Sequence, residues 1–505
     1  MKKNLYIIGA ALLTFFVSGC EKEFLDKQPT QYLTPEQIAE AAKTDPGLLN
    51  GQIAGLYSTM YNTGTGGTTG HDDFGQKGYD IYSDMLASDM ALAGTNYGWY
   101  TGVARYQASS DYTLNAVYMP WRYYYRVIYA ANNVIDALGG TDAVQTEPLQ
   151  RHIMGQAKAM RGYAYFYLTQ FYSAGYGTGQ EKILPIYTDS KQPNQPKSTT
   201  EEVYNLMIDD LTEAVDYLVD FNRLTKDQVD ATVAKGLLSY ALAARGTTED
   251  LNRVVALTNE VINGSAYRIT NENELYGKIV DGVLVNPESG FNNVATPSWM
   301  WGVDLTLANR LNLVSWWGQV DYYTYSYAWA GDPKTMDRNL QNSIGAKDLR
   351  RKQFHSTGRP LYKFFDPARK IGGQRQVTTD YVYMRIEEMI LMNAEAKARL
   401  GDDAGAKEML KKLMVERIEE DGYEAYETYL SGLNGQALKD EIFLQTRIEL
   451  WGEGKAYLAL KRNKQSVTRG ANHLFFAGDT FSWDSDEMTF PIPQAEVLNN
   501  PVLND

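Results

Sequence analysis

The chain is predicted to be mainly α-helical: one large domain of stacked helical hairpins, carrying a loop-rich face with minor β content. Three observations predict this. From Asp380 to Arg417, apolar residues recur at helical spacing (Val382, Ile386, Met389, Ile390, Ala394, Ala398), break at Leu400-Gly401-Asp402, and resume at Ala406, Met409, Leu410 and Leu413. Two amphipathic helices joined by so tight a turn fold back on each other, and facing alanines let them approach closely. Such a hairpin cannot bury its second face alone, so it needs neighbours of the same kind, and other segments of this chain supply them at a period of about 34 residues. Finally, the stretch from Tyr267 to Thr379 loses helical periodicity and is punctuated by Gly and Pro, which fits short strands and loops.

Length and charge bound the rest. The 505 residues are 44% hydrophobic and 22% charged, enough for a large core. A net charge of -14 argues against nucleic acid and against electrostatic adhesion to anionic lipid. Aromatics reach 12%, with 37 Tyr and 9 Trp, an excess that suggests contact surfaces as well as core.

The first residues read as a targeting segment. Lys2 and Lys3 precede an apolar run from Leu5 to Val17, too short to span a bilayer, and Val17-Ser18-Gly19-Cys20 closes it with small residues before the only cysteine. This looks like a bacterial lipobox. Residues 1–19 are then a signal peptide, Cys20 is the lipidated first residue of the mature chain, and residues 20–34 are a polar tether. Acyl chains contribute ~0.8 kcal/mol per buried CH₂, enough together to hold a soluble domain on a membrane. With the one cysteine so used, no disulfide and no thiol nucleophile remain.

Residues 35–266 form the N-terminal helical part. Helices are expected over Pro35–Thr44, Leu48–Tyr61, Tyr118–Leu138, Glu147–Tyr172, Val203–Leu218, Asp230–Arg245 and Asp250–Asn263, with Thr199 or Thr200 capping the fifth. The TGTGGTTG run at 63–70 is a flexible loop; no Lys-Ser/Thr follows it, so it is no phosphate loop. Residues 267–379 are the loop-rich insertion. Residues 380–505 return to helix: the hairpin, then one long helix over Ala437–Arg462, then an extended Thr489–Pro493.

Catalytic patterns are sparse. The four histidines (His71, His152, His355, His473) lack metal-ligand spacing and read as solvated or singly bonded, and no GxSxG occurs. Glu387, Glu388, Glu395, Glu449 and Glu453 sit on scaffold helices and read as ion-pair partners rather than as glycosidase acids. No enzymatic activity is expected. Binding suits the aromatic loops better, since a flat ring covers the C–H face of a sugar while Asn and Arg bond its hydroxyl rim. Two clusters fit: Asn96, Tyr97, Trp99 and Tyr100 with Arg105, and Trp299, Trp316, Trp317, Tyr322, Tyr323 and Trp329. On a strand, adjacent Trp316 and Trp317 face opposite ways, so one of them is core. Asp80, Asp84 and Asp89 read as a solvated acidic face. No cofactor is expected; a structural calcium ion stays open.

Several of these stretches resemble, in order, the SusD/RagB family of surface lipoproteins. Phe24-Leu25-Asp26 follows the lipobox. Met160-Arg161-Gly162-Tyr163-Ala164-Tyr165-Phe166-Tyr167-Leu168 is similar to the family's RAYAYFxL helix and precedes Leu184-Pro185. Arg385, Glu388, Leu391, Met392, Ala394, Glu395 and Ala396 match RxxExxLMxAEA; Arg447, Glu449, Leu450, Glu453 and Gly454 match RxELxxEG; and Pro491-Ile492-Pro493, Glu496 and Asn500-Pro501 match the C-terminal PIPxxE…NP. Ala456 and Ala459 stand where relatives carry an Arg and an Asp, which implies a structural pair dispensable here. The Leu400-Gly401 and Ala406 spacing is likewise similar to a tetratricopeptide unit. The resemblance implies a SusD-like fold and a lipid-anchored protein on the outer membrane of a Gram-negative bacterium. It implies a SusC-like TonB-dependent barrel as partner, over which the protein acts as a lid. An oligosaccharide is the implied ligand; RagB-type relatives imply a peptide instead.

Overall fold

The computed structural model describes residues 34–505. Cys20, the expected signal peptide over 1–19 and residues 20–33 of the expected tether lie outside the described residues. The helices of eleven residues or more are α1 Gln76–Leu86, α2 Asn115–Ala137, α3 Pro148–Tyr172, α4 Thr200–Tyr217, α5 Ala231–Arg245, α6 Thr248–Gly264, α7 Ile386–Arg399, α8 Asp403–Met414, α9 Glu420–Gly432 and α10 Gln436–Glu449. From α2 to α8 each packs on the next, and α10 closes against α7. The array is continuous across the insertion, because α6 packs on α7 although residues 265–385 lie between them.

Local chemistry sets the ends. Thr199 caps α4 in a reciprocal capping box with Glu202, and Thr247 does the same for α6 with Asp250. Asp230 caps α5, which stops at Gly246 in the left-handed region, φ 73°. α2 and α3 are joined by rings in contact, with Tyr124 stacked on Tyr167 at 5.5 Å.

The strands are short and pair two by two. One pair corrects the reading of the Asp380–Arg417 hairpin. Tyr381–Arg385 is a strand antiparallel to Trp299–Val303, and helix begins only at Ile386, where the Glu388 carboxylate accepts the Arg385 N–H at 2.9 Å. Tyr-Val-Tyr is β-forming sequence that helical spacing alone misreads. The long helix expected over Ala437–Arg462 is also broken, into α10 and a short helix over Ala456–Arg462. Gly452 (φ 82°) and Gly454 (φ 72°) turn the chain there, and a Cβ on Gly454 would overlap Asp80.

α1 carries polar residues at helical spacing (Gln76, Lys77, Asp80, Ser83, Asp84), yet all eleven of its residues are buried, so this polar face turns into the core rather than to solvent. Asp80, Asp84 and Asp89 are therefore not a solvated face. Lys77 pairs with Asp80 at 2.8 Å and Arg447 with Asp89 at 2.6 Å. Burial, reinforced by Asp89 and Asp80, raises the Asp84 carboxyl well above its ordinary range.

The motif residues of the C-terminal half meet in one buried ion network. Glu449 receives Arg385 at 2.7 Å, Arg417 at 2.8 Å and Arg350 at 3.3 Å. Glu453 receives Arg385 at 2.8 Å and Lys363 at 3.1 Å, while Glu387 receives Arg417 at 3.2 Å. Nearby, Glu395 pairs with Arg462 at 2.7 Å, and Glu388 accepts Tyr240 at 2.6 Å. The glutamates that might have suggested hydrolysis are thus structural counter-ions, sealed from any substrate. Ala456 and Ala459 are fully buried, so methyl groups fill positions where an unpaired charge would be costly. Among the described residues, no helix is long and apolar enough to cross a membrane.

Candidate functional site

The short strand Met90–Leu92 pairs antiparallel with Lys334–Met336, bringing together the two loops that leave them. The Ala93 N–H reaches the Pro333 carbonyl at 3.0 Å. Asp332 then accepts the N–H of Asn96 at 2.5 Å and of Tyr97 at 2.8 Å, clamping one loop to the other. Gly94 lies so close to the Gly331 carbonyl that any Cβ would overlap it.

This juxtaposition builds a platform of rings. Tyr327, itself buried, is the hub. Tyr97 meets it edge-on at 5.0 Å and Trp99 at 6.1 Å, and the His71 Nδ1 lies 2.5 Å from its hydroxyl. His71 stacks on Trp99 with centroids 5.1 Å apart and planes within 5°. Trp329 follows on the short helix Tyr327–Ala330, capped by Ser326, and lies over Gly372, where a Cβ would meet its indole at 2.9 Å. Tyr325 packs against Trp329 at 5.5 Å under the Arg375 guanidinium at 4.1 Å. Tyr97 is 55% exposed and Trp329 41%, Trp99 is half-buried, and Asn96 stands exposed at the rim. The surface thus offers apolar ring faces edged by an amide and a guanidinium.

A polar underlayer fixes it. Gln319 donates to the His71 carbonyl at 2.8 Å and accepts from the Lys334 Nζ at 2.6 Å. Burial lowers the Lys334 ammonium to about 7, with Asp332 and Asp72 pulling the other way. Asp72 is pushed up to about 6, chiefly by burial. The His71 loop is stapled by Asp73, which accepts the N–H of Gly66 at 2.7 Å and of Thr68 at 2.9 Å. Asp321 holds the start of the second loop, accepting the Tyr323 N–H at 3.0 Å, the Thr324 hydroxyl at 2.7 Å and the Asp366 N–H at 3.0 Å. Burial pushes its carboxyl to about 7.

The structure unites part of each sequence cluster and removes the rest. Asn96, Tyr97 and Trp99 gather beside Tyr327 and Asp332, and Trp329 stands two residues further along the short helix, against Tyr325. Tyr100 is buried beneath the platform, with Lys334 5.3 Å over its ring. Arg105 is exposed but turned onto Phe475 at 4.3 Å. Tyr322 and Tyr323 are half-buried against Arg359 at 5.4 Å and Arg369 at 4.3 Å. Trp299, Trp316 and Trp317 are core residues and meet no solvent. The expectation that only one of Trp316 and Trp317 is core assumed a strand. The segment Trp316–Val320 is a helix, and both indoles turn inward to meet Phe364. Sequence reasoning left out His71, Tyr325, Tyr327 and Arg375. Only the spacing of Tyr325 and Tyr327 from Trp329 could have pointed to them; His71 and Arg375 carry no local signal. Among the described residues, no group of three or more His, Cys, Asp or Glu is placed to hold a metal ion.

The molecule is a helical-hairpin array on which loops from the N-terminal part and from the insertion together form an exposed aromatic face. It belongs to the SusD/RagB family. The SusD family model matches residues 307–505, and a model described as "Starch-binding associating with outer membrane" matches residues 23–244. The SusD-like protein P25 of Formosa agariphila is 28% identical over 166 residues, 33% of this chain and 30% of that protein, so the chain spans under a third of that relative's length. A SusD-like carbohydrate binding protein from Bacteroides vulgatus superposes with TM-score 0.72 at 23% identity, covering 90% of this chain and 97% of that one. A structure solved with xylogluco-oligosaccharide superposes with TM-score 0.60 at 16% identity, covering 90% and 98%.

Proposed function

We propose that this protein captures an extracellular oligosaccharide on the Tyr97–Trp99–Tyr327–Trp329 platform and delivers it to a SusC-like TonB-dependent barrel. In this reading it is held to the outer surface of the outer membrane by a lipid on Cys20, acts as the barrel's lid, and performs no chemistry on the sugar. The observation that carries the proposal is the exposure of flat ring faces beside Asn96 and Arg375 in a protein that buries most of its large aromatics. Sugar rings stack on such faces while their hydroxyls bond the amide and guanidinium. The family's description as starch-binding and the oligosaccharide in a similar structure support the ligand class.

The test is retention on oligosaccharide affinity gels and titration calorimetry with Trp99→Ala, Trp329→Ala and the double variant. Central aromatic contacts are worth ~2 kcal/mol or more each, so each single variant should lose about thirtyfold and the double variant all retention. Unchanged retention by the double variant overturns the proposal, as does release of reducing ends by the wild-type protein.

A further inference from the structure

A second hollow lies away from the platform, along the outer face of α2. Its volume is about 600 Å³, within the range of small-molecule sites. Trp121 and Tyr125 line it from α2, and Tyr129, 53% exposed, stands at its edge. Arg122 and Arg126, one helical turn apart, project from the same wall. Asn194 and two carboxylates, Asp189 and Glu496, complete the lining.

Two features set this hollow apart. The chain has 62 acidic residues against 48 basic ones, yet among the described residues neither Arg122 nor Arg126 is in an ion pair. Arg122 instead donates to the Tyr118 hydroxyl at 3.0 Å. Arg126 also borders an adjoining polar hollow of about 430 Å³ lined by a third arginine, Arg310, which likewise has no ion pair among the described residues. The glycine-rich loop accounts for part of the arrangement. Gly67, φ 86°, lies directly against the Arg122 side chain, and a Cβ there would overlap it, so the missing side chain makes room for the guanidinium. Glu496 is already engaged, accepting the Trp121 indole N–H at 3.3 Å and the Asn500 amide at 2.8 Å.

We propose that this hollow is a second binding site, for an acidic sugar: a ring bearing a carboxylate or a sulfate. The unpaired guanidiniums supply paired, charge-assisted donors of the geometry that a carboxylate or sulfate takes up. The exposed Tyr129 phenol, backed by the half-buried Tyr125, covers the apolar face of the sugar, and the Asn194 and Glu496 oxygens accept its hydroxyls. The site is independent of the platform and does not depend on the function proposed for it.

Calorimetry with an oligogalacturonate, a sulfated oligosaccharide and a neutral gluco-oligosaccharide of equal length tests this in three proteins: wild type, Arg122→Ala/Arg126→Ala, and Trp99→Ala/Trp329→Ala. All four positions reach solvent, and circular dichroism verifies that the folds are unchanged. The wild type should bind at least one acidic probe, more weakly as salt rises, and the arginine variant should lose at least tenfold for that probe. Acidic binding should survive in the tryptophan variant, and which acidic probe binds distinguishes carboxylate from sulfate. Acidic binding that the arginine variant retains, or that only the tryptophan variant loses, overturns the proposal. So does a wild type that binds neither acidic probe.

Discussion

Replacing Glu449 by Gln should unfold this protein far more easily than any surface change. Glu449 is buried and engages three guanidiniums: Oε1 takes Arg385 at 2.7 Å and Arg417 at 2.9 Å, and Oε2 takes Arg417 at 2.8 Å and Arg350 at 3.3 Å. Glutamine keeps the shape but turns one acceptor into a donor that points at donors, and it leaves the cluster one negative charge short. Breaking a buried pair by removing one partner costs ~3–5 kcal/mol. Against a total stability of about 5–15 kcal/mol, that is about a fifth or more. With a urea slope near 3 kcal/mol/M, the midpoint should fall by about 1 M. The assay is urea unfolding followed by tryptophan fluorescence and far-UV circular dichroism together, with exposed Glu424→Gln as the control. Acid tests the same charge in the wild type. Burial alone would raise Glu449, but Arg417 and Arg385 outweigh it and hold the carboxyl well below its ordinary value. Its contribution is therefore complete above the unfolded pKa of ~4.3 and is lost as pH falls from there through the lower folded value. A Glu449→Gln variant within about 1 kcal/mol of wild type at neutral pH would refute this account of the network.

Two further changes address the platform. Gly372→Ala puts a methyl group 2.9 Å from the Trp329 indole at a residue with φ 58°. It should weaken oligosaccharide binding several-fold while costing only ~1–2 kcal/mol of stability, and calorimetry beside thermal unfolding separates the two effects. Asp321 has a folded pKa of about 7, raised by burial, so it binds a proton that the unfolded chain releases near ~3.9. Its presence therefore lowers stability as pH climbs from about 4 to 7. The stability difference between Asp321→Asn and wild type should move in the variant's favour across that window and level off above it. A flat difference, read from urea midpoints, would show that Asp321 is charged throughout.

The helical frame was legible because its chemistry is local. Thr199 with Glu202, the Leu400-Gly401-Asp402 break and the apolar stripes of α4 and α8 each announce themselves within a few residues. α1 and α9 did not, for different reasons. α1 has a polar stripe, but that stripe is buried and lies among Gly, Asp and Tyr, which favour helix weakly, whereas α9 buries only Gly422 and Leu430, so little in it marks a core-facing side. The platform was half legible. Aromatic loops were evident, but which ring meets solvent depends on pairings such as Asp332 with the backbone of Asn96 and Tyr97, far apart in the chain. Trp316 and Trp317 show the failure most plainly. Composition marks them as the best candidates, yet one turn of helix carries both inward. His71 shows the converse, an undistinguished residue made part of the site by a stapled loop.

The charge cluster around Glu449 also bears on how the chain comes together. Its members are supplied by residues 348–363, 385–387, 417 and 449–453, and ahead of Glu449 the four cations Arg350, Lys363, Arg385 and Arg417 meet only two carboxylates, Asp348 and Glu387. A polypeptide ending ahead of Glu449 would have to hide Arg350, Arg385 and Arg417 without their shared counter-charge, or leave them in water and forgo docking α7. The C-terminal half therefore gains its ordered form only once its last glutamates are in place, and fragments that stop short should be caught as open, protease-sensitive chains.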